Sequence, residues 1–136
     1  MKHGLNTDAS SPVTTGLLHS DVTEQIIGAA FDVHKELGYG FLERVYQKAL
    51  QVELQKRGVR AELERKIKVH YRGVVVGDFE ADVLVEDVVL VELKVAPRYN
   101  PEDEAQLLNE LKATGVKVGL LLNFGRAKVE FERFVF

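Results

Sequence analysis

The sequence predicts one domain of the mixed α/β (α+β) class, in the order helix, helix, three strands, helix, two strands. Three observations predict it. Two apolar stripes at helical spacing fill most of residues 21–58. Three runs rich in β-branched residues follow as far as Val95. A segment with strong helix-start signals then separates the last of these runs from a further apolar run, Val116 to Phe124. A helix between two strands lets them run parallel through a crossover, which gives a mixed sheet with helices on its faces. A chain of 136 residues with 46% hydrophobic content supports one core and is short for two domains.

Residues 1–20 are polar, small and without period, and predict a disordered tail ahead of a single domain over residues 21–136. Asp21 and Glu24 have capping-box spacing, and Val22, Ile26, Ala30, Val33 and Leu37 form one stripe that stops at Gly38. A second helix is expected to open at Gly40, with Leu42, Val45, Tyr46, Ala49, Leu50 and Leu54 on its apolar side and Gly58 as C-terminal cap. Three strands follow: Leu63 to Tyr71, a tight turn at Arg72-Gly73, Val74 to Val85, and Val88 to Val95. Asn100-Pro101 opens the third helix, with Glu102, Asp103 and Glu104 near its positive end, and Gly115 closes it. Val116 to Phe124 reads as a central strand and Lys128 to Phe136 as the last.

The hairpin at Glu86-Asp87 carries the most chemistry. On its second strand Val89, Val91, Leu93 and Val95 share one face, which leaves Leu90, Glu92 and Lys94 on the other. Asp82 lies opposite Glu92 if the pairing is centred on Asp87, which requires a three-residue connection or a bulge.

Composition narrows the chemistry further. Without cysteine, no disulfide or thiolate metal site is available, so any metal takes oxygen or imidazole ligands. No apolar run reaches membrane-span length and residues 1–20 lack the apolar core of a signal peptide, so the expected location is the cytoplasm. A net charge of -3 argues against coating nucleic acid by bulk attraction. Lys56, Arg57, Arg60, Arg65, Lys66, Lys68 and Arg72 nevertheless cluster just before the acidic hairpin. They read either as a flank for a phosphate backbone or as an ordinary solvated face.

Two carboxylates and an amine on neighbouring strands suit metal-dependent phosphodiester hydrolysis. Mg²⁺ or Mn²⁺ held by carboxylates activates water and neutralises charge on the phosphoryl oxygens. Asp82 and Glu92 are the expected metal ligands, the Leu93 carbonyl a third, and Lys94 the group that orients the water or stabilises the transition state. The plainer alternative is a solvated Glu/Lys strand face or a cross-strand ion pair.

The segment Gly40-Phe41-Leu42-Glu43-Arg44-Val45-Tyr46 resembles the Gly-x-x-Glu-x-x-Tyr signature of the GxxExxY family, which is grouped with the PD-(D/E)XK nuclease superfamily. The likeness continues through Tyr71-Arg72-Gly73, Asp82, Val91-Glu92-Leu93-Lys94, Ala105-Gln106-Leu107-Leu108-Asn109 and Gly119 to Gly125, in order. It implies a restriction-endonuclease-like core, whose helix, three strands, helix and strand match the order read from the residues. It also implies that Asp82 is the superfamily's metal-binding aspartate and that Glu92 and Lys94 belong to its (D/E)-x-K motif. Glu43 then resembles an additional acidic residue on the first core helix, and Gln106 the glutamine that several exonuclease-like members carry after the motif. Many relatives have an aromatic residue four positions after that glutamine, where this chain has Glu110.

Each of these residues also has a structural reading: a capping box for Glu43, a core position with a bonded hydroxyl for Tyr46, a cap or bridge to the sheet for Gln106. His34 and His70 read as surface or helix-face residues, lacking partners at metal-ligand spacing. The expectation is thus a Mg²⁺- or Mn²⁺-dependent nuclease acting on DNA or RNA through Glu43, Asp82, Glu92, Lys94 and Gln106, with Glu43, Asp82, Glu92 and the Leu93 carbonyl holding the metal. The alternative is a non-catalytic nuclease-fold protein that builds a homo-oligomer or binds a ligand. Aromatics on both faces of the C-terminal strand, Phe131, Phe134 and Phe136, suggest a surface between subunits.

Overall fold

A computed structural model describes residues 17–136, so most of the expected tail lies outside the described residues. The elements are α1 (Ser20–Leu37), α2 (Glu43–Lys56), β1 (Ala61–Tyr71), β2 (Val74–Val85), β3 (Val89–Lys94), α3 (Pro101–Thr114), β4 (Val118–Asn123) and β5 (Glu130–Val135). Their order is the expected one. The five strands form one sheet in the order β1-β2-β3-β4-β5. β3 and β4 run parallel across the α3 crossover and the other neighbours are antiparallel.

Both faces of the sheet are covered. On one face α1 and α2 pack Ile26, Ala30, Tyr46, Leu50 and Leu54 against Val83, Val91, Leu93, Leu120 and Phe124. On the other, Leu107 and Leu111 of α3 meet Ile67, Leu90, Leu121 and Phe134. Each of these large side chains contributes roughly 1.5–3 kcal/mol on full burial. The alternation in β3 is as expected: Val89, Val91 and Leu93 enter the α1/α2 core and Leu90 the α3 core. Glu92 and Lys94 therefore point towards α3.

Helix starts depart from the sequence reading. His19 in a left-handed conformation caps α1 without a side-chain hydrogen bond, so the Asp21/Glu24 capping box does not form. α2 begins at Glu43, not Gly40, and its N-cap Leu42 supplies no side-chain bond, which removes the capping-box reading of Glu43. Tyr46 is core: its hydroxyl donates to Gly38 O at 2.6 Å and its ring stacks on Phe124. α3 starts as expected, with the Asn100 side chain accepting from Glu102 N–H at 3.0 Å.

Two surface expectations change. Phe131 packs against Phe31 on one side of β5 and Phe134 is buried on the other, so these two aromatics are used within the chain, while Phe136 is exposed. The basic stretch is partly paired with acids. Arg57 pairs with Asp32 and Glu53, Arg60 with Asp87 and Arg65 with Glu62, while Lys66 and Lys68 stand opposite Glu80 and Asp78 in the β1/β2 ladder.

Candidate active site

Asp82 sits at a break in the sheet. Pairing of β2 with β3 runs over Val83↔Val91, Leu84↔Leu90 and Val85↔Val89. The connection is thus the three residues Glu86-Asp87-Val88, centred on Asp87, with Glu86 and Asp87 both at positive φ. The same register brings Asp82 opposite Glu92. Just before it, Ala81 belongs to the α3-side core, whereas Val83 belongs to the α1/α2 side. Strict alternation is lost at Asp82, across from Glu64, which has φ 55.

Two contacts hold Asp82 there. Gln47, one turn after Glu43 on α2, donates from Nε2 to Asp82 O at 2.8 Å. The Leu93 N–H donates to Asp82 Oδ2 at 2.8 Å. Leu93 thus joins the site through its N–H.

Glu92 is the centre of the cluster and is only 2% exposed. Its Oε2 accepts from Gln106 Nε2 at 2.9 Å and lies 3.9 Å from Lys94 Nζ, while its Oε1 is buried without a partner. Its carboxyl also meets those of Asp82 and Glu110. The Gln106 Nε2 reaches Glu110 Oε2 at 3.0 Å, and Lys94 Nζ lies 3.6 Å from Asp103 Oδ1. Glu43, at the start of α2, is close enough to feel Asp82, Lys94 and Asp103.

The electrostatics follow from crowding acids in a partly dry place. Burial, then the charges of Asp82 and Glu110, push the Glu92 carboxyl up to about 9. Burial raises Asp82 despite the Leu93 N–H and Lys94, and raises Glu43 and Glu110 as well. Burial lowers the Lys94 ammonium, but Glu92, Asp103, Glu43 and Asp82 together outweigh it and raise its affinity for the proton. This is an acidic centre short of positive charge.

Glu43, Asp82, Glu92, Lys94 and Gln106, all named from sequence, therefore come together. Gln47, Asp103 and Glu110 were missed. Asp103, Gln106 and Glu110 follow at i, i+3 and i+7 along one face of α3, and Gln47 follows Glu43 at i+4. Helical spacing from a residue already suspected would have found all three. A cleft of about 290 Å³ opens beside Lys94, with Arg98, Tyr99 and Asp103 in its wall. A wider groove of about 970 Å³ runs between α3 and the β1/β2 ribbon, past Gln106, Glu110, His70 and Phe79.

The donor set suits a hard divalent cation. Asp82 and Glu92 offer oxygen ligands, and Glu92 Oε1 is buried with no hydrogen-bond partner. Among the described residues no three Asp, Glu or His side chains form a ready metal cage. Mg²⁺ is commonly held through one or two carboxylates while keeping several waters, so an open arrangement fits it.

Comparison with known proteins agrees with the fold. A family model described as the PD-(D/E)XK nuclease superfamily matches residues 20–134. The crystal structure of SSO0001 superposes with a TM-score of 0.53 at 16% identity, over 68% of this chain and 50% of that one. The chain thus spans half the length of that protein, and the likeness is one of fold. No curated protein matches the sequence. No described helix is long and apolar enough to cross a membrane.

Proposed function

The chain belongs to the PD-(D/E)XK nuclease superfamily, and from that membership we propose that it is a Mg²⁺- or Mn²⁺-dependent nuclease that hydrolyses phosphodiester bonds in DNA or RNA. The observation that carries the reading is the convergence of Asp82, Glu92, Lys94 and Gln106 in one cluster, with Glu43 at its edge. The Gly40, Glu43 and Tyr46 spacing supports the narrower GxxExxY assignment.

In this reading Asp82 and Glu92 are the metal ligands, with Glu43 and the Leu93 carbonyl as further oxygens. A bound divalent cation would lower the pKa of a coordinated water and offset charge on the phosphoryl oxygens. Leu93 N–H and Gln47 fix Asp82 at both its carboxyl and its carbonyl, so one ligand is held before metal arrives. Gln106 orients Glu92. Lys94, steered by Glu92 and Asp103, carries its charge to the cleft edge, where it stabilises the phosphoryl oxygens or orients the attacking water. Single- and double-stranded DNA and RNA should be tested with Mg²⁺ and Mn²⁺ against Asp82→Ala and Lys94→Ala. Cleavage that both substitutions reduce by about 10²-fold or more supports the reading. Activity no greater than that of the variants would reject catalysis on these substrates.

A further inference from the structure

Glu110 stands apart from the residues that the proposed reaction uses. It is 1% exposed, on the inner face of α3, and its carboxyl meets that of Glu92. One amide nitrogen, Gln106 Nε2, serves both: it lies 2.9 Å from Glu92 Oε2 and 3.0 Å from Glu110 Oε2. The remaining oxygens, Glu92 Oε1 and Glu110 Oε1, are both buried without a partner. Among the described residues the cation paired with Glu92 is Lys94, at 3.9 Å and shared with Asp103.

Two buried acids bridged by a neutral amide are poorly compensated, because burial in low dielectric penalises charge that lacks a close counter-charge. An apolar or aromatic group at position 110 would fill the space without that penalty. We propose that Glu110 is a positioning residue that sets the cation affinity of the site: its acid, held against Glu92 by Gln106, disfavours the metal-free cluster and is relieved when a divalent cation joins Glu92. The inference rests on the metal-binding reading of Asp82 and Glu92. Glu110 acts through Glu92 and Gln106 and is not itself assigned contact with substrate.

Mn²⁺ binding to the full chain, followed by electron paramagnetic resonance of the free ion, tests this with Glu110→Gln and Asp82→Asn, alongside the metal-free thermal midpoint. E110Q should bind Mn²⁺ at least about 10-fold more weakly, with a metal-free midpoint equal to or above that of the parent. A residue needed only for packing would give the opposite stability result. Unchanged or tighter binding by E110Q, or weaker binding together with a lower midpoint or loss of folding, overturns the proposal. If the parent binds Mn²⁺ and D82N does not while E110Q is unaffected, the metal site stands and this inference alone fails. No binding by the parent removes both.

Discussion

The side chain of Asp82 accepts the main-chain N–H of Leu93 at 2.8 Å and so continues the β2/β3 ladder beyond Val83↔Val91, the last paired residues. One carboxylate thereby serves both the backbone and the proposed metal. Asparagine keeps an acceptor there and alanine does not. Asp82→Asn is expected to melt near the parent temperature yet lose cleavage. Asp82→Ala should lose cleavage and also about 1–3 kcal/mol, because a partly buried N–H is left without its partner. Urea unfolding of the two variants separates these effects.

The crowded acids give a pH dependence of defined sign. The Glu92 carboxyl is raised from 4.5 to about 9 by burial and then by Asp82 and Glu110, and Asp82, Glu43 and Glu110 shift the same way. Between those two values the folded chain binds more protons than the unfolded one, so stability falls as pH rises. The metal-free protein should be most stable at the acidic end of that window and weaken steadily towards pH 9. Saturating Mg²⁺ or Mn²⁺ should flatten the slope, as thermal melts across the range with and without metal will show. Glu92→Gln should also flatten it, without added metal.

Gln47 supports the site from the opposite side of the sheet. Its amide donates to Asp82 O at 2.8 Å from a position 8% exposed. Gln47→Leu keeps the volume and removes the donor. It should cost about 1–3 kcal/mol and reduce cleavage more than a loss of stability alone explains, since Asp82 is then held by Leu93 only. Rates measured well below the melting temperature isolate the second effect.

The far end of β3 is fixed by a backbone crossing that leaves no room for a side chain at Gly125. A Cβ there would lie 2.4 Å from Ala96 N and 2.7 Å from Val95 C. Asn123 closes the crossing, accepting from Ala96 N–H at 3.0 Å and Gly125 N–H at 2.9 Å and donating to Ala96 O at 2.9 Å. Gly125→Ala should cost roughly 1–3 kcal/mol by chemical unfolding. It should also lower activity, because Lys94 ends the strand being displaced.

Much of this was legible because it is local. The sequence between Asp82 and Glu92 permits a register centred on Asp87, which the β2/β3 pairing adopts, and Asn100-Pro101 announces α3 by side-chain chemistry. The starts of α1 and α2 were misread because no side-chain cap marks either of them. Helical spacing from Glu43 and Gln106 marks Gln47, Asp103 and Glu110 as candidates, but which helix faces meet the sheet at Asp82 and Glu92 depends on how α2 and α3 pack on opposite sides. That Lys66 and Lys68 stand opposite Glu80 and Asp78 likewise depends on the β1/β2 register, which carries an irregularity at Val69/His70.

The central claim is that Asp82 and Glu92 together hold a divalent cation. Anomalous scattering from a crystal soaked in Mn²⁺ tests it most directly. The account predicts a peak in contact with both carboxylates and absent from Asp82→Asn crystals. Well-ordered, soaked crystals with no peak between Asp82 and Glu92 would contradict it.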